Sequence, residues 1–98
     1  MPRNYSSGRR DHNENEICEA ILRLGGFYRK MPEAAGFDLL VVFPKTGVHI
    51  VEVKNPSYRW RLTDAEQDLQ EDIQDYGGVY SIVETVNDIK KLCYNTRA

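Results

Sequence analysis

Apolar residues first recur at helical spacing over residues 14–24, where Ile17, Ala20, Ile21 and Leu24 fall on one stripe and Gly25-Gly26 follows as a stop. This pattern predicts a helix. Residues 1–12 (MPRNYSSGRRDH) are polar and without period, so they read as a flexible basic N-terminal arm, with residues 13–98 forming a single domain. FYRKM over 27–31 alternates as a strand and is closed by Pro32 and the small-residue loop EAAG. DLLVVF over 38–43 reads as a buried strand, PKTG over 44–47 as a turn, and VHIVEVK over 48–54 as the partner strand of a hairpin. NPSYRWR follows as a loop. Thr63 and Glu66 then form a T-x-x-E capping box that opens a helix reaching residue 76. Ala65, Leu69, Ile73 and Tyr76 make its apolar stripe, with Gln67, Gln70 and Gln74 roughly opposite. VYSIVET over 79–85 is a further strand, and residues 87–94 a closing helix with Ile89, Leu92 and Cys93 turned inward. The order is α-β-β-β-α-β-α: an α/β fold, with a mixed central sheet flanked by helices and ended by a C-terminal helix.

Composition narrows the class without naming it. Ninety-eight residues, 41% hydrophobic and 29% charged, suit one globular domain with one core. No apolar stretch reaches membrane-spanning length and the N-terminus lacks the apolar run of a signal peptide, so the expectation is a soluble, cytoplasmic protein. Cys18 and Cys93 lie inside apolar helical patterns without zinc-ligand spacing and read as small buried hydrophobes. His12 and His49 are isolated, which leaves triad-type nucleophilic catalysis unsupported. The net charge of −2 argues against a generic polyanion binder, but the charges are unevenly placed. Arg3, Arg9 and Arg10 stand in a first decade without an acid, and Lys54, Arg59 and Arg61 surround the aromatics Tyr58 and Trp60. Six acids then fill residues 64–75 with no Lys or Arg among them. This distribution would let one surface attract phosphates while another repels them, and each run taken separately fits an ordinary solvated face at least as well.

The chemistry-bearing candidates lie on the hairpin. Strand side chains alternate between faces, so Glu52 and Lys54 share a face while Val51 and Val53 take the other. An E-x-K tripeptide by itself is most often the wet side of a half-exposed strand. Asp38, however, opens the neighbouring strand, where Asp has poor β-propensity, and pairing across the 44–47 turn brings it to the same end as Glu52. Glu14 falls about 60° from Ile17 and about 20° from Ile21 on the helical wheel, near the inward stripe. Glu16 lies on the other side. Several acids converging on one lysine repel one another unless a divalent cation or a basic partner neutralises them.

With these residues in view, AGFDLLVVFPKTGVHIVEVKNP is similar to the catalytic segment of the PD-(D/E)XK nuclease superfamily, in which an Asp begins one strand and E-x-K lies on the next. Over residues 14–92 the chain most resembles small stand-alone VRR-NUC domains of phages and, more distantly, archaeal Holliday-junction resolvases. These also begin with a Glu-bearing helix ending at Gly-Phe and pass from the E-x-K strand into an LTxxQ-like helix, here LTDAEQ. The resemblance implies Asp38 and Glu52 as Mg²⁺ or Mn²⁺ ligands, the Val53 carbonyl as a third, Glu14 as an accessory ligand, and Lys54 as the residue that positions water or stabilises charge. It brings Gln67 toward the site. Phe37 stands where the family usually has Pro, and LTDAEQ separates Leu62 from Gln67 by one residue more than the commonest family form.

The implied activity is metal-dependent cleavage of branched or structured DNA, and paired cuts across a four-way junction call for a homodimer. Tyr58, Arg59, Trp60 and Arg61, with Arg9 and Arg10, are the candidate DNA contacts. For Tyr58 and Trp60 a place in the core or in a subunit interface fits equally. A non-catalytic binding module on the same fold and a sequence-specific restriction-type nuclease are the other readings, the last disfavoured because the chain has no long insertion for major-groove readout.

Overall fold

The computed structural model describes residues 4–95, with side chains from Asn13 onward. The first helix, α1, runs Asn4–Arg23 and so begins well before the expected start near residue 14. Ile17, Cys18, Ala20 and Ile21 are its buried residues. The helix ends as the paired glycines foretell. Gly25 takes φ 88°, its N–H bonds the Leu22 carbonyl at 3.0 Å, and the Gly26 N–H bonds the Ile21 carbonyl at 3.0 Å, closing the helix in a Schellman arrangement. Gly26 is required for a second reason: a Cβ there would sit 2.6 Å from Phe43 Cδ1 and 2.7 Å from the Val42 carbonyl oxygen.

Four strands form one sheet in the order β1-β2-β3-β4: β1 Phe27–Lys30, β2 Leu39–Phe43, β3 Gly47–Val53 and β4 Tyr80–Val83. The first two pairings are antiparallel and β3 with β4 is parallel. A parallel pair needs a crossover, and α2, Asp64–Asp75, supplies it. The third helix, α3, spans Val86–Tyr94. The strand boundaries differ from the sequence reading by a residue at several ends. Met31, Asp38 and Lys54 flank strands instead of belonging to them, and the EAAG loop contains a 3-10 turn, Glu33–Ala35.

Helices α1 and α3 pack on one face of the sheet. Ile17 and Ile21 meet Leu39, Val41 and Phe43 of β2, Val51 and Val53 of β3, Val83 of β4, and Ile89 and Cys93 of α3. Alternation sends Glu52 to the opposite face, together with Ile50 and their β4 neighbours Tyr80 and Ile82. Only part of that face, toward β4, is covered by α2, which buries none of its own residues fully. Its expected apolar stripe holds only in its middle. Leu69 packs at Gly36 and Ile73 at Gly78, while Ala65 is exposed and Tyr76, the residue after the last helical turn, is 92% exposed. A helix lying on one side of a small sheet, with no further layer outside it, has no partner for the ends of its stripe.

The isolated polar residues find structural partners. Thr46 Oγ1 donates to the Leu92 carbonyl at 2.8 Å and lies 2.7 Å from His49 Nε2, which ties the hairpin turn to α3; burial holds His49 below the usual imidazole range. Cys18 and Cys93 are both buried and free. The side chain of His12 lies outside the described residues. Among the described residues, no helix is long and apolar enough to cross a membrane.

Candidate active site

Asp38 extends the β2–β3 ladder by one step. Its N–H bonds the Val51 carbonyl at 3.1 Å, and its carbonyl accepts from Met31 N–H at 2.9 Å. Since Leu39 pairs with Val51, Asp38 stands opposite Glu52 on the α2 face. Its carboxylate Oδ2 then accepts the Val53 N–H at 2.8 Å, fixing the acid against the strand that carries Glu52. The preceding turn is held as well: Gly36 has φ 84°, and its carbonyl accepts the buried Tyr80 hydroxyl at 2.7 Å. Burial, first of all, and the neighbouring acids raise that phenol above its ordinary range, so it remains a donor.

Glu52 is fully buried at the centre of this arrangement, and neither of its carboxyl oxygens has a hydrogen-bond donor among the described residues. Lys54 Nζ lies 3.3 Å from Oε2, a charge contact without hydrogen-bond alignment. Desolvation, reinforced by Glu66 and Asp38 and opposed by Lys54, pushes the Glu52 carboxyl from 4.5 up to about 9. It therefore holds a proton at neutral pH in the ion-free protein. In that form it can donate to Glu66; as a carboxylate it has no such bond. Glu66 moves the other way. Burial acts to raise it, but hydrogen bonding with Glu52, with the Thr63 N–H and with Lys54 outweighs that and keeps it ionised.

Beside Asp38, Lys54 and Glu66 lies an open cleft of about 670 Å³, lined also by Glu14 and Lys30 among others. The geometry separates Glu14 from Glu16. Glu14 lines this cleft, with Lys30 Nζ 3.9 Å from its Oε2, while the exposed Glu16 borders a different cleft beside Asn55 and Asn87. Helix α1 is also pinned to the site through Asn13, whose Nδ2 donates to the Lys54 carbonyl at 3.1 Å.

Lys54 is nearly enclosed. Its ammonium donates to Glu66 Oε1 at 3.0 Å and, more loosely, to the Arg61 carbonyl at 3.4 Å, and lies 5.8 Å from the centre of the Trp60 ring. Trp60 in turn donates through Nε1 to Glu84 Oε2 at 2.8 Å, fastening the loop between β3 and α2 to the end of β4. Tyr58 and Trp60 are 42% and 38% exposed, so neither is a core residue. Arg59 and Arg61 are exposed on the same loop. The side chains of Arg9 and Arg10 lie outside the described residues.

No protein-family model matches the chain, and neither does any curated protein. A solved structure described as a "VRR_NUC domain" superimposes with a TM-score of 0.66 at 24% sequence identity, over 86% of this chain and 92% of that one. The fold is that of a VRR_NUC domain. Of the residues expected at the site, Asp38, Lys54 and Glu14 line one cleft, while Glu52 lies fully buried behind it, 3.3 Å from Lys54 Nζ.

Gln67 is not part of that grouping. It is exposed, and the preceding residue, Glu66, reaches Lys54 instead. The capping box had marked Glu66 only as a helix start; both halves of that box are present. Asn13 and Tyr80 gave no sequence signal, because each acts through a backbone carbonyl distant in the chain.

The donor set suits a hard divalent cation, since it consists of carboxylates and backbone oxygen. A buried carboxyl with both oxygens lacking donors is the observation that fits such an ion. Among the described residues, however, no three His, Cys, Asp or Glu side chains converge closely enough to enclose one unaided. An ion bound there would need waters or substrate oxygens to complete its shell, as is common for Mg²⁺.

Proposed function

We propose that this chain is a divalent-metal-dependent DNA endonuclease that hydrolyses phosphodiester bonds in branched or structured DNA as a homodimer, in the manner of a Holliday-junction resolvase. The observation that carries this reading is Glu52. A carboxyl with no exposed surface and no donor on either oxygen, placed between Asp38, Lys54 and Glu66, is costly for stability alone. A cation-binding role explains why it is there.

In this reading Asp38, Glu52 and the Val53 carbonyl hold Mg²⁺ or Mn²⁺, with Glu14 as accessory ligand. The ion, when bound, supplies positive charge against the phosphate and makes water more acidic. Lys54 orients the attacking water or meets the charge that develops on the phosphoryl oxygens. As the water oxygen bonds to phosphorus it releases a proton to bulk solvent, the ester P–O bond breaks, and the departing sugar oxygen takes up a proton from bulk solvent. Arg59 and Arg61 contact backbone phosphates, and Tyr58 and Trp60 offer faces for unpaired bases.

Support for a second copy comes from the α2 side of the sheet, where the β1–β2 half is left open. Phe27, Val42 and Val48 are register neighbours across β1, β2 and β3, and Phe27 and Val48 are 51% and 66% exposed. In this reading an exposed apolar patch of this kind is where a second copy packs about a two-fold axis.

The decisive experiment is cleavage of a labelled immobile four-way junction, beside linear duplex and flap substrates, with Mg²⁺, Mn²⁺ or EDTA. Paired metal-dependent nicks, lost in Lys54→Ala, support the proposal. No cleavage of any substrate, with tight junction binding retained, replaces it with a non-catalytic binding module. Preference for one duplex sequence over every junction replaces it with a restriction-type nuclease.

A further inference from the structure

Glu66 carries two tasks on one oxygen. Its Oε1 accepts the Thr63 N–H at 2.9 Å, as half of the capping box of α2, and also accepts the Lys54 ammonium at 3.0 Å. Both side chains are largely buried, with 11% of Lys54 and 15% of Glu66 exposed. Lys54 sits at the end of a flexible four-carbon stem, and its contact with Glu52 is not aligned as a hydrogen bond. The aligned side-chain acceptor it does have is a carboxylate whose own orientation is fixed by a helix cap.

We infer that Glu66 is the positioning residue for Lys54, so that the N-terminal cap of α2 serves as the holder of the buried ammonium group of the site. The inference rests on the nuclease reading of Lys54 for its consequence, but not for its geometry. An ionised acceptor forms a shorter and stronger bond to an ammonium than an amide does, so Glu66 holds the lysine more tightly than a Gln at this position would. Its anchor to Thr63 also persists when Glu52 is engaged elsewhere. Glu66 thus keeps Lys54 beside the cleft when a cation occupies Glu52, where a lysine held by Glu52 alone would lose its anchor.

Three variants test this. Glu66→Gln keeps an acceptor for the cap but removes the charge; Glu66→Ala removes both; Thr63→Ala weakens the cap while leaving the Thr63 N–H to hold Glu66. The readouts are ¹⁵N NMR of the Lys54 ammonium, Mn²⁺ affinity by calorimetry without DNA, thermal midpoint, and single-turnover cleavage. The expected result is a hindered Lys54 ammonium signal in the natural chain and in Thr63→Ala. Its protons exchange about tenfold faster in Glu66→Gln and faster still in Glu66→Ala, with Mn²⁺ affinity within about twofold of the natural chain in Glu66→Gln and turnover reduced about tenfold. An unchanged Lys54 signal in Glu66→Ala reduces Glu66 to a helix cap and overturns the inference. A tenfold loss of Mn²⁺ affinity in Glu66→Gln also overturns it, making Glu66 a cation ligand. If the natural chain cleaves nothing, the NMR comparison still decides the positioning role, because it requires no activity.

Discussion

Replacing Glu52 by Gln should strengthen the ion-free fold as pH rises, while abolishing activity. In the folded chain the Glu52 carboxyl is pushed from 4.5 up to about 9, chiefly by burial. An unfolded chain ionises it at its ordinary value. Between those two values the unfolded state has lost the proton and the folded state retains it, so stability from this group is full at low pH and declines as pH rises toward 9. The limiting slope is about 1.4 kcal/mol per pH unit, or about 4 kcal/mol between pH 5 and pH 8. Structural relaxation and water entering the cleft reduce this, and about 2–4 kcal/mol is expected. The amide that replaces the carboxyl does not titrate, and the groups that do not interact with Glu52 cancel between the two chains.

The Glu52→Gln chain should therefore gain on the natural one by roughly 10–20 °C in thermal midpoint between pH 5 and pH 8. Circular-dichroism melts in EDTA measure this directly. A difference in midpoint that stays constant from pH 5 to pH 8 would refute the reasoning, since Glu52 would then be ionised in the fold throughout. Adding Mn²⁺ should raise the natural chain by about 2.7 kcal/mol at one hundred times its dissociation constant and leave Glu52→Gln almost unmoved.

Asp38→Asn should keep the acceptor for Val53 N–H and unfold within about 1 kcal/mol of the natural chain, whereas Asp38→Ala, which strands that N–H, should lose about 1–3 kcal/mol in urea titration; both should lose cleavage. Gly26→Ala drives a methyl against Phe43 and the Val42 carbonyl, so it should cost about 1–3 kcal/mol without altering the salt dependence of DNA binding. Arg59→Ala with Arg61→Ala should weaken junction binding and flatten its logarithmic salt slope by about 2, one for each phosphate no longer neutralised; an unchanged slope removes the loop from the interface. Phe27→Glu with Val48→Glu should give a monomer by light scattering and unpaired nicks in place of paired ones.

How much of this was legible beforehand depends on the range of the interaction involved. The order of helices and strands was, since it rests on local periodicity and on the punctuation at Gly25-Gly26 and the 44–47 turn. The Thr63–Glu66 capping box was legible for the same reason, whereas the equivalent box of Thr85 and Asp88 at the start of α3 went unread. The pairing of Asp38 with the Glu52 strand followed from a short hairpin whose turn fixes the register. Gln67 was brought toward the site by the resemblance alone, against a helical phase that set it opposite the apolar stripe; the phase was the better guide, since α2 is oriented by the Leu69–Gly36 and Ile73–Gly78 approaches and by a salt bridge at its first turn, which leave Gln67 exposed.

The sequence by itself determined which chemistry is available: two acids and a lysine on adjacent strand ends, with a Glu-bearing helix before them. Period-two alternation and a tight turn suffice for that, and neither depends on distant contacts. Only the tertiary structure decided which acid is stripped of water, which helix residue grips the lysine, and that Glu14 lines the cleft while Glu16 does not. Those are properties of how α1 and α2 lie across the sheet. Burial, and with it the charge state of Glu52, arises only when elements far apart in the chain close over the same few ångströms.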